Sequence, residues 1–566
     1  MSIKTLPSEV IDSIAAGEVI DSLLAVVREL VENALDAGAT RVSVSLYPEL
    51  WQVQVADNGT GMSVDDLRIC AQPHSTSKIR SSKDLWYITS LGFRGEALHS
   101  ISQVADLAIC SRLKGRLDAV GWQIDYRKGK PITEEAIAIA PGTIVTASNI
   151  FGQLPVRRRG LPDPSIQLKA VQKSIQHLAL CHPEITWLVK QNDRVWFHLS
   201  SGNNAQQVLP QFLRKATSSD LQYLKLSEQH PIVETFHRND STEQPATIEL
   251  ILGLPDRLHR YKADWIKVAI NGRVVRCPEL EQVIVTGMAR TLPRERYPVA
   301  FLHLHLDPSG IDWNRHPAKA EIYLHSLGYW QERVSNAIER ALKLNNDNVP
   351  QKIGDLRISQ VLKAAEAPGS YNFDSASEKK PINKIGSLEL KAIAQVNKTY
   401  IVAEHPYGLW LVEQHIAHER ILYEQLQDEW QLVSLDSPIV LNHLKKSQVK
   451  QLEQIGIDIE PFGDGLWTIR NAPEALATRE DCKDALLELS WGGDLQTAQV
   501  ATACRTAIKN GTELDIATMQ NVLDRWQNTR NPRTCPHGRP IYLSLEETTL
   551  SRFFRRHWVI GKSHGI

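Results

Sequence analysis

The chain is poor in features that define large classes of protein. Its 566 residues include only seven cysteines, an odd and scattered set, which argues against a disulfide framework and for a reducing compartment. No apolar run approaches the roughly 20 residues that a membrane-spanning helix needs. The N-terminal sequence MSIKTLPSEV has no signal-peptide pattern. We therefore expect a cytoplasmic protein without a membrane partner.

An excess of charge of one sign is also lacking. Lys and Arg number 64 against 65 Asp and Glu, which gives a net charge of -1. Any contact with nucleic acid must then come from local patches. Two short arginine patches are present, one at 157–159 and one formed by Arg552, Arg555 and Arg556. Because short basic runs are usually solvated surface, these patches alone favour DNA binding only weakly.

The first third of the chain lacks a Walker loop but carries residue types suited to ATP. Apolar residues recur at helical spacing over 22–37 and Gly38 follows, which predicts an amphipathic helix. Glu29 and Asn33 are four residues apart and share its polar face. The carboxylate can take a proton from water, and the amide oxygen can bind Mg²⁺. The alternative for this helix alone is a solvated surface face.

Two strands are predicted next, at 41–46 and 51–55, from their alternation of apolar and polar residues. Asp57 then lies at a strand end, followed by Gly59 and Gly61. Such a turn lets backbone approach a flat ligand, and the carboxylate can accept a hydrogen bond from an adenine amino group. An ordinary Asn-Gly hairpin turn is the alternative.

The segment LGFRGEAL, residues 91–98, is a glycine-bracketed loop that runs into a helix predicted from Glu96 to Gln103. Free amide groups at a helix start attract phosphate, and glycines allow close approach. Arg94 or Lys78 can add a positive charge to such a site.

These blocks together resemble the GHKL ATPase superfamily, and their wording is similar to that of the MutL family of mismatch-repair ATPases over nearly the whole chain. The segments that carry the resemblance are IAAGEV, ELVENALDAG, DNGTGM, TSKI, SLGFRGEAL, PGT and HPAK. The resemblance implies a mixed α/β, multidomain fold that begins with a GHKL-type ATPase sandwich.

The resemblance also implies roles for individual residues. Glu29 resembles the general base that activates water, and Asn33 the Mg²⁺ ligand. Asp57 and Thr143 resemble the adenine contacts. Lys319 resembles a lysine that a second domain inserts toward the γ-phosphate. The remaining expected ATP contacts are Gly59, Gly61, Thr76, Ser77, Lys78, Gly92, Phe93, Arg94, Gly95, Glu96, Ala97 and Leu98.

The length and the 42% hydrophobic content allow about three domains with real cores. We expect the ATPase domain over 1–205 and a second α/β domain over 206–342, with strands near 248–254 and 265–275 and a helix near 327–344. A polar linker is predicted over 343–386. A C-terminal α/β domain, expected to dimerise, then covers 387–566.

A second possible site lies in the C-terminal domain. There, an apolar strand is predicted to lead into a helix with His415 and Glu419 four residues apart, and Glu413 lies just before it. Cys535 and His537 are two apart, so an extended chain would place them on one side. Thiolate, imidazole and carboxylate suit Zn²⁺ or a similar divalent metal. Ordinary surface and core positions are the alternative.

Here the chain resembles nicking-type MutL proteins, through the blocks EQHIAHE at 413–419, ACR at 503–505 and CPHGRP at 535–540. The resemblance implies a metal-dependent endonuclease with Zn²⁺ or Mn²⁺, adds Cys504 to the ligands, and aligns Glu424 with the last motif position. Glu413 stands for the family's aspartate and Ile416 for its alanine. Because metal ligand distances are fixed within about 0.2 Å, a site that binds metal without cutting is a serious alternative.

The resemblance implies a homodimer that couples a MutS-like mismatch sensor to DNA incision, with a sliding clamp and a helicase as further partners. The segment 431–433 lies where relatives dock on the clamp, but a plain surface turn is the preferred interpretation. A chaperone-type GHKL dimer is one rival, although it has no use for Cys535 and His537. A topoisomerase B subunit is another, but no convincing acidic triad is found.

Overall fold

The structure is a computed structural model that describes residues 16–17, 19–81, 84, 88–115, 120–213, 216–228, 246–312, 323–343, 390–547 and 550. Three predictions concern residues outside these ranges: Lys319, the linker beyond residue 343, and the arginine patch at 552–556. The chain divides into two compact units. The first contains Met1–Ile251, Trp265–Val283 and Ala300–Ala337, and the second contains Leu252–Asp264, Ile284–Val299 and Ile338–Ile566.

The α-helices of the described residues are numbered here in chain order. They are α1 Leu23–Asp36, α2 Val64–Ile69, α3 Ala97–Val104, α4 Pro155–Gly160, α5 Pro164–Cys181, α6 Ala205–Val208, α7 Pro278–Gly287, α8 Leu327–Leu342, α9 Gln414–Asp428, α10 Lys446–Gln454, α11 Glu474–Ala477, α12 Cys482–Leu489, α13 Leu495–Thr506 and α14 Ile516–Gln527.

The strands are numbered in the same way. They are β1 Arg41–Tyr47, β2 Gln52–Asp57, β3 Asp106–Arg112, β4 Gly121–Arg127, β5 Lys130–Ile137, β6 Gly142–Ser148, β7 Thr186–Gln191, β8 Arg194–Leu199, β9 Leu221–Glu228, β10 Ala246–Gly253, β11 His259–Arg260, β12 Ile266–Ile270, β13 Arg273–Val275, β14 Tyr297–Pro298, β15 Ala300–His305, β16 Ile311–Asp312, β17 Tyr323–Leu324, β18 Lys391–Val396, β19 Tyr400–His405, β20 Gly408–Glu413, β21 Leu432–Asn442, β22 Ile459–Pro461, β23 Leu466–Pro473 and β24 Tyr542–Glu546.

The first unit is built on an eight-stranded sheet with the order β5-β4-β3-β6-β2-β1-β7-β8. β1 pairs antiparallel with β2 and parallel with β7. Val27 and Val31 of α1 and Ile175 of α5 are buried in one core cluster with Val44 and Val53 of the sheet. The helices are amphipathic because their apolar residues recur at 3.6-residue spacing, and this stripe covers the sheet.

Helix α1 begins and ends with clear local signals. The Ser22 hydroxyl accepts a hydrogen bond from the Ala25 amide at 3.2 Å, so Ser22 is its N-cap. Past the other end, Gly38 has φ +69°, the left-handed conformation that glycine tolerates without strain. The helix predicted over 22–37 is confirmed, and so are the two strands that follow it.

A second, five-stranded sheet has the order β13-β12-β15-β10-β9. β12 and β15 are parallel, whereas β12 and β13 form an antiparallel hairpin. The strands expected near 248–254 and 265–275 correspond to β10, β12 and β13, and the helix expected near 327–344 corresponds to α8. These predictions are confirmed.

The second unit contains a four-stranded sheet, β18-β19-β20-β24, and a three-stranded sheet, β21-β23-β22. One face of the four-stranded sheet packs against α9 and α14, through side chains that include Trp410, Ala417 and Trp526. The predicted strand and helix around Glu413 are confirmed as β20 and α9. The surface turn predicted at 431–433 is wrong, because Leu432 and Val433 begin β21 and pair with Pro473 and Ala472.

Among the residues that the structure describes, no helix combines the length and the apolar character needed to cross a lipid bilayer.

Candidate nucleotide and metal sites

A large cavity in the first unit gathers most of the residues that the sequence selects for ATP. Its volume is about 720 Å³, which falls in the range of roughly 300–1,000 Å³ seen for small-molecule sites. Among the described residues, its lining contains the expected ATP contacts other than Gly59, together with Glu29. These lining residues are Glu29, Asn33, Asp57, Gly61, Thr76, Ser77, Lys78, Gly92, Phe93, Arg94, Gly95, Glu96, Ala97, Leu98 and Thr143.

Helix α1 presents a polar stripe to this cavity. Glu29, Asn33 and Asp36 follow one another at helical spacing, and all three line the cavity. The Glu29 carboxylate lies 3.2 Å from the Arg28 guanidinium, and its side chain is 16% exposed. A carboxylate that is partly buried in this way can reach a water molecule inside the cavity, as a general base requires.

Lys78 crosses from the 76–78 segment to the same stripe. Its ammonium donates to Asn33 Oδ1 at 2.9 Å and lies 2.5 Å from Asp36 Oδ2. The ammonium therefore contacts the amide oxygen that the sequence assigns to Mg²⁺.

Asp36 was missed by the sequence analysis. Its carboxylate accepts the backbone amides of Leu91 and Gly92 at 2.8 and 2.9 Å, in addition to the Lys78 ammonium. Asp36 thereby ties the first residues of the 91–98 loop to α1. The available signal was its position three residues after Asn33, on the same helix face.

Asp57 lies at the end of β2, opposite Thr143 of β6. Its Oδ1 accepts the Gly59 amide at 2.8 Å, and Thr143 donates a backbone hydrogen bond to the same carboxylate. Burial raises the pKa of Asp57, while these two amide donors oppose that shift. The Thr143 hydroxyl is fixed in turn by the Ser111 hydroxyl at 2.9 Å.

Gly59 and Gly61 are explained by crowding. A Cβ at Gly59 would lie 2.7 Å from the Ala37 carbonyl oxygen, and Gly61 has φ +70° with its position pressed against the Arg112 carbonyl. Gly59 therefore lets the 57–61 turn pass close to the end of α1 without lining the cavity itself.

The 91–98 loop leads into α3, which begins at Ala97, one residue after the predicted start. No side chain caps its N-terminus, where Glu96 is the N-cap residue. Gly95 has φ +66°, and a Cβ there would meet the Ser75 backbone at 2.8 Å. The loop thus lies against the 75–78 segment, with the amides of a helix start at the cavity.

The arginine patch at 157–159 is only partly surface. Arg157 donates to the Gly17 carbonyl and lies over the Phe151 ring, while the Arg158 guanidinium lies 4.5 Å from the centre of the Trp51 ring. Arg159 is exposed. Two of the three charges are therefore committed to packing within the domain.

In the second unit, Glu419, Cys535 and His537 form a compact group with metal-ligand chemistry. Their donor atoms all lie within 4.8 Å of one another. His537 Nδ1 is 2.9 Å from Glu419 Oε1, and Cys535 Sγ is 4.0 Å from His537 Nδ1. Glu419 Oε1 is fully buried, with the His537 imidazole as its close partner, and carboxylate, thiol and imidazole together are a donor set that divalent metals accept. The residues therefore fit a divalent metal.

The local backbone of Cys535 and His537 forms a turn rather than an extended chain. The Gly538 amide donates to the Cys535 carbonyl at 2.8 Å, which closes a tight turn, and Gly538 has φ +79°. The turn still brings both side chains together, because His537 donates its own amide to Cys535 Sγ at 3.3 Å.

Two further expected ligands, His415 and Cys504, lie beside the group. His415 Nε2 is 3.9 Å from Cys504 Sγ, and His415 Nδ1 is 2.9 Å from the Ile508 carbonyl. Burial and the negative charge of Glu419 raise the pKa of the Cys504 thiol. Glu413 is not brought to the group: it is the N-cap of α9, accepts the Ile416 amide, and binds Asn510 Nδ2 at 2.6 Å.

The charges at the group are mutually balanced. Hydrogen bonds to Cys535 and Glu419 raise the pKa of His537 to about 9. Burial opposes ionisation of Cys535 and Glu419, but their contacts with His537 and Arg539 outweigh it, so both pKa values are lowered. The Arg539 guanidinium lies 3.1 Å from Glu419 Oε2. A metal would have to displace the proton on His537.

Helix α9 also anchors the loop that carries Cys535. Arg420 donates to the Thr534 carbonyl at 2.8 Å, and Glu424 accepts the amides of Arg530 and Asn531 at 2.6 and 3.0 Å. Glu424 therefore fixes the loop, and the structure does not bring it into the metal-ligand group. The sequence analysis missed the contacts of Arg420 with Thr534 and of Arg539 with Glu419, because each joins residues more than 100 positions apart.

The helix with Glu29 and Asn33, the Asp57 turn and the glycine loop at the head of α3 define a GHKL-type ATPase domain. Residues 21–144 match the family model described as histidine kinase-, DNA gyrase B- and HSP90-like ATPase. Residues 229–343 match the C-terminal domain of DNA mismatch repair proteins, and residues 393–514 match the MutL C-terminal dimerisation domain.

Full-length relatives then identify the family. The chain is 59% identical to the DNA mismatch repair protein MutL of Rippkaea orientalis, over 100% of this chain and 99% of that protein. It is also 59% identical to MutL of Microcystis aeruginosa, over 100% of both. A crystal structure of the N-terminal domain of a DNA repair protein is 22% identical, with a TM-score of 0.47, over 58% of this chain and 96% of that one. The chain belongs to the MutL family of DNA mismatch repair proteins.

Proposed function

We propose that this protein is an ATP-driven switch in DNA mismatch repair, which couples a MutS-like mismatch sensor to incision of DNA. The observation that carries the proposal is the cavity of about 720 Å³ into which Glu29, Asn33 and Asp57 all face. It joins a general base, an amide ligand for Mg²⁺ and an acceptor for adenine in one site.

In the proposed reaction the Glu29 carboxylate takes a proton from the water that attacks the γ-phosphate. The Asn33 amide oxygen would hold Mg²⁺, whose charge would offset negative charge on the phosphates. Asp57 accepts the adenine amino group while it keeps its bonds to Gly59 and Thr143. The backbone amides at the start of α3 donate hydrogen bonds to phosphate oxygens. Lys319, outside the described residues, is proposed to reach the γ-phosphate.

The test of the ATP site is the Glu29→Ala variant. It should bind a non-hydrolysable ATP analogue within about threefold of wild type and lose hydrolysis by a factor of about 100 or more, because general-base catalysis contributes about 10²–10⁴-fold. Binding is measured by calorimetry and turnover by phosphate release. Glu49→Ala, at an exposed position after β1, is the matched control. A variant that no longer binds nucleotide would contradict the role of Glu29.

Dimerisation is proposed for the C-terminal region, and one face of the β18-β19-β20-β24 sheet supports it. Trp410 and Val412 of β20 point to the core, so their neighbours Leu409 and Leu411 point away from it. The same outer face carries Val396, Tyr400 and Leu543, which are 43%, 42% and 49% exposed. A second copy of the chain would cover this apolar surface.

We further propose that the group of Glu419, Cys535 and His537, with His415 and Cys504 beside it, holds Zn²⁺ or Mn²⁺ and nicks DNA. The buried oxygen of Glu419 and the mixed thiol, imidazole and carboxylate donors support metal binding. A bound ion would supply a Lewis acid to a DNA phosphate. Arg539 keeps Glu419 ionised and oriented toward the group.

Supercoiled DNA with Mn²⁺ tests the nuclease. Wild type should convert it to nicked circles, whereas Glu419→Ala should not, and the exposed Glu453→Ala should nick like wild type. Equal nicking by the Glu419→Ala variant would indicate a contaminating nuclease.

A mismatch-repair ATPase whose metal group is not catalytic is the second candidate. It is favoured by Glu413, since its carboxylate is engaged by the Ile416 amide and Asn510 and does not join the metal group. This candidate predicts zinc binding without nicking.

Among partners we propose DNA, a MutS-like sensor, a sliding clamp and a helicase. DNA-stimulated ATP hydrolysis separates this role from a chaperone-type dimer, whose turnover would respond to unfolded protein.

A further inference from the structure

The hairpin between β12 and β13 places one arginine at a special position. Asn271 and Gly272 form its two-residue turn with φ +46° and +83°, the conformation of a tight hairpin turn. The turn ends at Arg273, which is only 7% exposed. A buried guanidinium needs partners for its donors, because an unpaired buried charge is costly.

Arg273 has partners on two elements of the ATP site. One amino group lies 2.8 Å from Glu32 Oε1, and the side chains of the pair are 8% and 2% exposed. The other donates to the Leu91 carbonyl at 2.7 Å. Glu32 lies on α1 directly before Asn33, and Leu91 is the first residue of the 91–98 loop. Arg273 therefore bridges the helix and the loop, two elements whose residues line the nucleotide cavity.

The Leu91 residue is held from both ends. Its carbonyl accepts from Arg273, and its amide donates to Asp36 Oδ1 at 2.8 Å. Asp36 and Glu32 are four residues apart, one turn along α1. The contacts close a ring that runs from Glu32 through Arg273 and Leu91 to Asp36. The planar fork of a guanidinium can serve two acceptors in this way, whereas a lysine ammonium is a point charge on a shorter reach.

The hairpin turn is itself fixed. His303 Nε2 accepts the Gly272 amide at 3.0 Å, and His182 Nε2 is 3.1 Å from the Gly272 carbonyl. The Asn271 side chain exchanges two hydrogen bonds of 2.8 Å with the Leu306 backbone. Burial lowers the pKa of His303 well below its usual value, so its ring stays neutral and keeps an acceptor nitrogen. A displacement of β12 or β15 would therefore move Arg273.

We propose that Arg273 is a positioning residue that transmits the position of the β12–β13 hairpin to the 91–98 loop and to the helix carrying Glu29 and Asn33. This inference rests on the proposed ATP hydrolysis. In this proposal the position of the β12–β13 hairpin affects the ATP site in addition to the position of Lys319. When the hairpin is seated, the first peptide of the loop is fixed against α1. When it shifts, the loop and the base-bearing helix lose their common support.

The test compares Arg273→Met, Arg273→Lys and, as a matched control three residues along the same hairpin, the exposed Arg276→Met. Two readouts are used: hydrogen exchange of the Leu91 and Gly92 amides, and the kcat and KM of ATP hydrolysis without DNA. Arg273→Met should raise exchange of these two amides at least about tenfold and lower kcat about tenfold, with KM for ATP within about threefold. Arg273→Lys should restore thermal stability but leave the exchange fast, because lysine lacks the planar guanidinium fork that spans the Glu32 carboxylate and the Leu91 carbonyl.

If Arg273→Met alone does not fold, the double variant Arg273→Met with Glu32→Leu replaces both members of the buried ion pair by apolar side chains and is measured in the same way. Equal exchange and kcat in wild type and the Arg273 variants would overturn the inference. So would a uniform rise in exchange across the eight-stranded sheet, which would mean general destabilisation. Absence of ATP hydrolysis by wild type would instead overturn the proposed function, since the exchange experiment does not depend on turnover.

Discussion

Replacing Asp57 by asparagine should change both the strength and the base preference of nucleotide binding. The wild-type carboxylate offers acceptors in every direction and already receives amides from Gly59 and Thr143. An asparagine side chain has one acceptor oxygen and one donor NH₂ group. If the oxygen serves Gly59, the NH₂ group faces the adenine amino group, which is also a donor. If the side chain flips, the Gly59 amide loses its partner.

The expected magnitude follows from one lost hydrogen bond to a charged group, which is worth about 1.5–3 kcal/mol. ATP should therefore bind Asp57→Asn about 10–150 times more weakly than wild type. A guanine carbonyl could accept from the new NH₂ group, which would favour GTP. The ratio of ATP affinity to GTP affinity should therefore fall by a larger factor than the ATP affinity itself. Calorimetric titration with both nucleotides measures these effects.

The control is Asp66→Asn, an exposed carboxylate on α2 that also lines the cavity. It should bind ATP within about twofold of wild type, since about 0.4 kcal/mol is the most that a solvated side chain of this kind should contribute. Near wild-type ATP affinity in the Asp57→Asn variant, with an intact fold by circular dichroism, would refute the role assigned to Asp57.

Two further predictions concern acid stability and assembly. Burial, followed by the charges of Lys267 and Lys173, lowers the pKa of His177 to about 4. Between pH 6.5 and pH 4 the unfolded chain therefore binds a proton at this histidine that the folded chain does not bind. The contribution of His177 to the free energy of unfolding is complete above pH 6.5 and is lost as the pH falls toward 4. The loss is about 2 kcal/mol at pH 5, so urea unfolding of His177→Gln should be less sensitive to acid than that of wild type or of the exposed-site variant His198→Gln; an unchanged pH slope would contradict this. Leu411→Glu should convert a dimer to a monomer of 63.6 kDa in sedimentation equilibrium, because a carboxylate cannot be buried unpaired in an apolar interface. The control Val195→Glu, at an exposed site on β8, should stay dimeric. A dimeric Leu411→Glu variant would exclude the outer face of the four-stranded sheet as the dimer interface.

Local patterns predicted the framework of the nucleotide site well. The helix with Glu29 and Asn33 was readable from its 3.6-residue spacing, and Asp57 from the end of an alternating strand. Asp36 was also within reach, since it continues the polar stripe of α1. What periodicity cannot show is a partner that is distant in the chain. The contacts of Arg273 with Glu32 and Leu91 depend on how a later hairpin packs against an earlier helix.

The C-terminal group shows the same division. The spacing of His415 and Glu419 on α9 could be read from the sequence, and their helix is confirmed. Cys535 and His537 lie together as expected, but the chain between them is a turn, which the spacing of two residues could not distinguish from an extended segment. Glu413 was taken from a motif, but its position before the helix is also an N-cap position, and the structure shows that use. Arg157 and Arg158 counted as surface charge until their aromatic partners were known.

The ammonium of Lys78 beside Asn33 and Asp36 has a consequence for the order in which ligands enter. A free divalent ion would meet a positive charge beside the oxygen that is proposed to bind it, and it would offer no acceptor for that charge. A triphosphate would offer several anionic oxygens, which can compete with both the Asn33 amide and the Asp36 carboxylate for the ammonium. Magnesium should therefore bind together with the nucleotide, and without ATP this pocket should bind no Mg²⁺.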